Sequence, residues 1–252
     1  MINILIPLGG KSAFFDNEEY PFPKPLIEIN GKLMIELLID SFSNIEEEYK
    51  FIFIVQQEDC RKYHLDNTLK LLTNDKCEIV ILDNLTKGAA CSALMAIDHI
   101  DTHDKLIISN GDQVIDSDMN HILGFMEGKK SDAGVVCFES VHPKWSYVRL
   151  DENDCIVETA EKRPISKNAI AGFYYFRHGI DFVKSAMKSI EKDSSVDGFY
   201  YIAPTLNEMV LENKKLDIYK IENHRYHSFY SPQKIKEYET SLGGREVLRE
   251  DR

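Results

Sequence analysis

The apolar residues of the chain follow two different patterns. In the first half, short continuous apolar runs alternate with segments of helical spacing. The predicted strands there are 3–8, 51–55, 77–82 and 105–109, and the predicted helices are 32–42, 58–72 and 87–100. Continuous apolar strands separated by helices indicate an α/β fold whose central sheet is mixed and mainly parallel, with helices on both faces.

The second half contains more strand than helix. Its predicted strands are 133–140, 147–150, 155–160, 170–177 and 216–221, and its predicted helices are 181–192, 203–213 and 232–242. No stretch rich in Pro and Gly separates the two halves. The sequence therefore predicts a single domain over 1–252, with subregions 1–130 and 131–242.

Composition narrows the classes of partner. The chain has 42 Asp and Glu against 30 Lys and Arg, a net charge of −12, so its surface repels nucleic acids and anionic membranes. We expect neither as a partner. Five Cys without metal-type spacing favour a reducing compartment. The N-terminus lacks the basic segment of a signal peptide, so we expect a cytoplasmic protein. The sequence leaves a homo-oligomer open.

Loops that follow the carboxyl ends of parallel strands are the expected place for a ligand. Three loops qualify, after Leu8, after Leu82 and after Ser109. In the first, two glycines follow the strand, and glycine lets backbone N–H groups approach a phosphate closely. Further along the same loop, Lys24 stands between two prolines, which restrict the backbone around it.

The segment Pro-Lys-Pro-Leu at 23–26, followed by Gly-Lys-Leu-Met at 31–34, resembles a known family. These are the nucleotidyltransferases that make nucleotide-activated sugars and related alcohols. The resemblance extends to about residue 240 and is closest to a subgroup from bacterial capsule and surface-glycan gene clusters. It implies a Rossmann-like nucleotidyltransferase fold. It also implies transfer of a nucleoside monophosphate from an NTP to a phosphorylated acceptor, with a sugar-1-phosphate as the expected acceptor and pyrophosphate released.

The resemblance also implies roles for individual residues. Lys24 and Asp112 match the catalytic pair: Lys24 stabilises charge at the α-phosphate, and Asp112 binds Mg²⁺. The nucleotide-binding set is Leu8, Gly9, Gly10, Lys11, Lys24, Gly88, Ala89 and Asp112. The acceptor-binding set is Glu161, Lys162 and Gly172. In-line attack by one phosphate on another needs positioning and positive charge, which fits lysines and a metal ion.

Some positions depart from the family pattern. Ser12 and Phe14 stand where the loop has its second Gly and an Arg that clamps the triphosphate, so Lys11 is the candidate substitute. Ser228 stands where a second metal-binding Asp is usual. His224 and His227 are alternative ligands there, although a polar pocket wall is the plainer interpretation. Phe199 replaces an acidic residue, and with Tyr200, Tyr201 and Tyr174 it makes the acceptor region aromatic.

Two alternatives remain open. One is a cytidylyltransferase acting on a non-sugar or unusual sugar phosphate. The other is a non-catalytic nucleotide or nucleotide-sugar binding protein, which the missing Arg and second Asp would suit. A glycosyltransferase is disfavoured, because Asp112-Gln113-Val114 lacks the usual Asp-x-Asp pair, although Asp116-x-Asp118 follows.

Overall fold

The computed structural model describes residues 1–10, 14–15 and 19–250, with the side chains of the last helix described as far as residue 241. Its main sheet has nine strands: β1 (Ile2–Pro7), β4 (Tyr49–Gln56), β5 (Cys77–Leu82), β6 (Lys105–Ser109), β8 (Ala133–Glu139), β9 (Tyr147–Leu150), β10 (Ile156–Ala160), β11 (Asn168–Phe176) and β12 (Leu216–Lys220). The described residues also form two short antiparallel ladders: β2 (Glu28–Ile29) with β3 (Lys32–Leu33), and β7 (Gln113–Ile115) with β13 (Tyr226–Ser228).

The main sheet has the order β10-β9-β11-β6-β1-β4-β5, and β8 joins β11 to β12. Strands β6, β1, β4 and β5 are parallel neighbours, as the apolar runs predicted. Of the nine strands, β10 and β11 run against the other seven. This confirms the predicted mixed, mainly parallel sheet. Because β11 pairs with β6, one sheet passes through both subregions.

Helices cover both faces of the sheet. They are α1 (Met34–Ser41), α2 (Gln57–Tyr63), α3 (Leu65–Leu72), α4 (Ala89–Leu94), α5 (Ile97–Ile100), α6 (Met119–Lys129), α7 (Gly179–Glu191), α8 (Ile202–Leu211) and α9 (Pro232–Glu250). Alternate side chains of β1 enter opposite cores: Leu5 packs with α4, α7 and α8, whereas Ile4 and Ile6 pack with α1, α3 and α6. The period of two along a strand explains why an entirely apolar strand lies between two helical layers.

Some predicted elements have different limits. The helix predicted over 58–72 is two helices, because His64 takes a left-handed conformation (φ 54°) between α2 and α3. The helix predicted over 87–100 begins at Ala89 and is interrupted between α4 and α5. The helix predicted from residue 32 starts at Met34, because residues 32–33 form β3. The last helix continues past 242 to Glu250.

One helix was missed. Helix α6 carries buried apolar residues at Met119, Ile122, Leu123 and Met126, which is helical spacing. The side chain of Asp118 accepts a hydrogen bond from the Asn120 amide at 2.9 Å and caps the helix. The signal was therefore readable in the sequence. Among the described helices, none is long and apolar enough to cross a bilayer.

Candidate active site

The predicted nucleotide loop begins where β1 ends. The Leu8 amide donates to the carbonyl of Ile54 at 2.7 Å, so the chain stays beside β4 for one more residue. Gly9 is packed closely: a Cβ there would lie 2.8 Å from Leu82 Cδ1, and its carbonyl accepts from Gln56 Nε2 at 2.7 Å. Gly10 is open, since a Cβ there would have none of the described atoms within 4 Å. Lys11 lies outside the described residues, so its predicted role stays a prediction.

Lys24 and Asp112 meet although 88 residues separate them. Lys24 begins a 3₁₀ turn (Lys24–Leu26) that follows Pro23, and its ammonium donates to Asp112 Oδ2. The two side chains are 19% and 28% exposed, so this is a partly buried ion pair that a ligand can still reach. The ammonium also lies 5.2 Å from the ring centroid of Phe15. The structure thus brings the predicted catalytic pair together.

The backbone around Asp112 is held on several sides. Gly111 lies against Leu8, and a Cβ at that glycine would collide with the leucine side chain. The carbonyl of Asp112 accepts from the Phe229 amide at 2.7 Å, where β13 passes alongside β7. Strand ends from β1, β6 and β13 therefore fix the carboxylate near the loop that carries Lys24.

Gly172, predicted on the acceptor side, also supports this carboxylate loop. Its carbonyl accepts from the Asn110 amide at 2.9 Å and from Gln113 Nε2 at 3.0 Å. The residue has φ +58°, and a Cβ would collide with the side chains of Asn110 and Gln113. A glycine is needed here for both conformation and close approach. These contacts add a structural role to the predicted one.

Gly88 joins the two subregions. It has φ +108°, and a Cβ would collide with the backbone of Tyr200. The Tyr200 amide donates to the Lys87 carbonyl at 2.8 Å, and the Ala90 amide donates to the Tyr200 carbonyl at 3.0 Å. Ala89, the first residue of α4, packs against the core. The turn at Gly88 and Ala89, predicted to bind nucleotide, is therefore hydrogen-bonded to the aromatic segment that precedes α8.

On the predicted acceptor side, Glu161 is a half-buried carboxylate. It accepts a hydrogen bond from the hydroxyl of Ser146. Burial raises the pKa of Glu161 above its usual value, and the hydrogen bond and the charge of Lys162 offset only part of that shift. Burial, with the nearby charge of Glu161, likewise raises the pKa of Tyr174 above its usual range. Glu161 is therefore partly shielded from solvent, near Tyr174 of β11.

Lys162 follows Glu161 in a left-handed conformation (φ 53°). Its amide donates to the Trp145 carbonyl at 3.1 Å. Its ammonium is 3.3 Å from Asp197 Oδ2 and 5.1 Å from the ring centroid of Tyr201. The hydrogen bond with Tyr201, with a further one to Asp197, raises the pKa of Lys162, so its positive charge is maintained at neutral pH.

The positions that depart from the family pattern lie in different parts of the structure. Phe14 is 57% exposed, and its ring centroid is 6.1 Å from that of Tyr230; Ser12 lies outside the described residues. Ser228 pairs with Gln113, next to Asp112. His224 lies 3.2 Å from Glu222 on the surface, which disfavours it as a ligand beside Asp112.

The nucleotidyl transferase family matches residues 20–223, well over half of the 252 residues. The chain belongs to this family. This nucleotidyltransferase is 23% identical over 195 residues to the bifunctional protein GlmU of Methanococcus aeolicus. The match covers 76% of this chain and 43% of GlmU, so the chain spans less than half the length of that relative.

Three solved structures share the fold. A nucleoside-diphosphate-sugar pyrophosphorylase from Vibrio cholerae RC9 superposes with a TM-score of 0.78 at 20% identity, covering 94% of this chain and 99% of that one. A putative glucose-1-phosphate thymidylyltransferase from Bacillus anthracis gives 0.76 at 16%, covering 95% and 94%. A UDP-glucose pyrophosphorylase complexed with UDP-glucose gives 0.76 at 15%, covering 97% and 100%. They confirm the nucleotidyltransferase fold.

A cleft of about 380 Å³ opens beside Gly9 in this nucleotidyltransferase. It is lined by Gln56, Gln57, Glu58, Arg61, Lys62 and Asp83. Sequence reasoning pointed to the loop after Leu82, where Asp83 lies, but named none of these residues. Gln56 is the last residue of β4 and Asp83 follows β5, whereas the other four belong to α2, the helix that follows β4. The carboxyl ends of these parallel strands are where the sheet topology would have directed a search.

The fit of a metal ion depends on Asp112. Within the described residues, no group of three or more His, Cys, Asp or Glu side chains could hold a metal ion. Mg²⁺, however, is often bound by one or two carboxylates together with the phosphates of the substrate. Asp112, with its partly exposed carboxylate, suits that arrangement.

Proposed function

We propose that this enzyme transfers a nucleoside monophosphate from an NTP to a sugar-1-phosphate in the cytoplasm. The product would be an NDP-sugar, used in surface polysaccharide synthesis, and the leaving group would be pyrophosphate. The observation that carries the proposal is the ion pair between Lys24 and Asp112 at the carboxyl ends of the parallel strands. The sugar-phosphate enzymes named among the structural neighbours support the choice of acceptor class.

In the proposed reaction, an oxygen of the acceptor phosphate attacks the α-phosphorus of the NTP. The bond from that phosphorus to the bridging oxygen breaks, and pyrophosphate leaves with the electron pair. Lys24 would leave Asp112 and donate to the non-bridging α-phosphate oxygens, where negative charge accumulates. Lys162 would hold the acceptor phosphate. Mg²⁺, when bound through Asp112, would supply further charge neutralisation for the triphosphate.

The test is a screen of single NTPs against sugar-1-phosphates and other phosphorylated acceptors, with Mg²⁺ and pyrophosphate detection. We expect turnover with one pairing, and a loss of about 100-fold or more in Lys24→Ala and in Asp112→Ala. Lys32→Ala is the matched control, because Lys32 makes an exposed ion pair with Asp40. Full activity in either site variant would refute the site assignment.

The same screen separates the alternatives. Turnover confined to CTP and a non-sugar phosphate would identify the cytidylyltransferase. Thermal stabilisation by NTP and Mg²⁺ with no pyrophosphate from any acceptor would identify a binding protein.

A further inference from the structure

The ammonium of Lys144 packs against aromatic rings, and none of the described carboxylates pairs with it. Its Nζ lies 3.8 Å from the ring centroid of Tyr230 and 4.5 Å from that of Trp145, both within cation–π range. Lys24 and Lys162, by contrast, pair with Asp112 and Asp197.

Among the residues whose side chains are described, no carboxylate is within ion-pair distance of Lys144. Glu237 is close enough to sense its charge, but the pKa of Glu237 is lowered chiefly by its hydrogen bond from Lys234, and Lys144 contributes least. The side chain of Lys144 is exposed. Its three N–H donors are therefore available to an anion, while the two rings restrict where the ammonium can go.

The position of Lys144 links it to both halves of the site. The carbonyl of the next residue, Trp145, accepts a hydrogen bond from the Lys162 amide at 3.1 Å. The ring of Trp145 lies 5.6 Å from that of Tyr226, whose hydroxyl donates to Gln113 Oε1 at 3.1 Å, one residue from Asp112. Lys144 thus belongs to the wall that joins the Asp112 loop to the Glu161–Lys162 turn.

We infer that Lys144 is a second binding residue for the acceptor phosphate, working with Lys162. This rests on the proposed function. The acceptor assignment follows from the backbone: Lys144 immediately precedes the Trp145–Ser146 segment, which bonds to Lys162 and Glu161. A phosphate dianion bound here would contact the ammonium groups of Lys144 and Lys162. Of the two, only Lys162 has a carboxylate partner among the described side chains.

The inference also describes how the charge is positioned. A flexible lysine normally loses much rotamer freedom when it binds a ligand. Here Trp145 and Tyr230 hold the ammonium before the ligand arrives. The rings are thus expected to lower the entropic cost of binding.

The experiment is steady-state kinetics of Lys144→Gln and Lys144→Arg with the NTP and acceptor found in the screen. For Lys144→Gln we expect the acceptor KM to rise about tenfold or more. The NTP KM should stay within about twofold, and Lys144→Arg should recover most of the acceptor affinity, because it keeps the charge. Inorganic phosphate, as a competitor of the acceptor, should inhibit Lys144→Gln more weakly than wild type.

Lys167→Gln is the control, since Lys167 is exposed and paired with Glu139. Thermal midpoints of all variants report on folding. An unchanged acceptor KM in Lys144→Gln would overturn the inference, and a rise in the NTP KM alone would overturn the acceptor assignment. A wild type without turnover on any acceptor would overturn the proposed function and this inference with it.

Discussion

The ion pair between Lys24 and Asp112 predicts that Mg²⁺ and nucleotide bind together. Asp112 is the proposed metal ligand, and one of its oxygens already accepts a hydrogen bond from the Lys24 ammonium. Mg²⁺ added alone must compete with that ammonium. Nucleotide removes the competition, because the triphosphate offers Lys24 other oxygens. The substitution Lys24→Met removes the ammonium and keeps most of the apolar stem.

The size of the effect follows from the hydrogen bond. A hydrogen bond to a charged group is worth about 1.5–3 kcal/mol, and about 1.4 kcal/mol corresponds to a factor of ten in affinity. Without nucleotide, Lys24→Met should therefore bind Mg²⁺ about 10 to 150 times more tightly than wild type. With nucleotide present the advantage should disappear, because Lys24 then no longer occupies Asp112.

Calorimetric titration of Mg²⁺ into nucleotide-free protein measures this directly. Thermal midpoints give a second readout. Lys24→Met leaves the Asp112 carboxylate, which is 28% exposed, without its Lys24 counter-ion, so the midpoint of the variant should fall without Mg²⁺ and recover with it. Lys32→Met, which breaks the exposed pair with Asp40, should match wild type. Equal or weaker Mg²⁺ binding by nucleotide-free Lys24→Met would refute the reasoning.

Three further predictions concern the supports of the site. Gly172→Ala should lose more free energy of unfolding than Gly198→Ala, measured by chemical denaturation. Both glycines have a positive φ, which costs about 1–2 kcal/mol for alanine, but of the two only Gly172 has side chains against the added Cβ. Equal losses of stability would contradict the contact argument. Gly88→Ala should raise the KM for NTP, measured by pyrophosphate release, because its Cβ would displace the backbone of Tyr200; an unchanged KM would count against the turn's role. The raised pKa of Glu161 means that the folded state binds this proton more tightly than the unfolded state. The stability that this adds is full below the ordinary pKa of Glu and is lost as the pH rises through the pKa of the folded state. Glu161→Gln should therefore flatten the fall in thermal midpoint between pH 4 and pH 8.

Much of the fold could be read from the sequence, because its strands are continuous apolar runs. The limits predicted for β5, β6 and β9 match the structure. Helix limits were harder, because an apolar period does not report a single residue in a left-handed conformation, such as His64 between α2 and α3. Helix α6 was missed although its spacing and cap were present.

The meeting of Lys24 and Asp112 was also within reach, since loops after neighbouring parallel strands lie at one edge of a sheet. The aromatic cluster beside Lys144, formed by Trp145, Tyr226 and Tyr230, was not within reach. It depends on β13 pairing with β7, and each of these strands is only three residues long with no continuous apolar run. The contact of Lys144 with Tyr230, which follows β13, depends on that pairing, so local pattern could not predict it.

Strand β11 connects the two chemical halves of the site. At Gly172 its carbonyl binds Asn110 and Gln113 on either side of Asp112. Two residues later, Tyr174 lies close enough to Glu161 for its pKa to be affected by that carboxylate. The register of β11 against β8 shifts between residues 170 and 174, which is where these contacts are made. The irregular stretch of this strand therefore supports the loop of Asp112, the proposed metal ligand, and lies near Glu161, the proposed acceptor residue, so a change there should disturb the binding of both substrates.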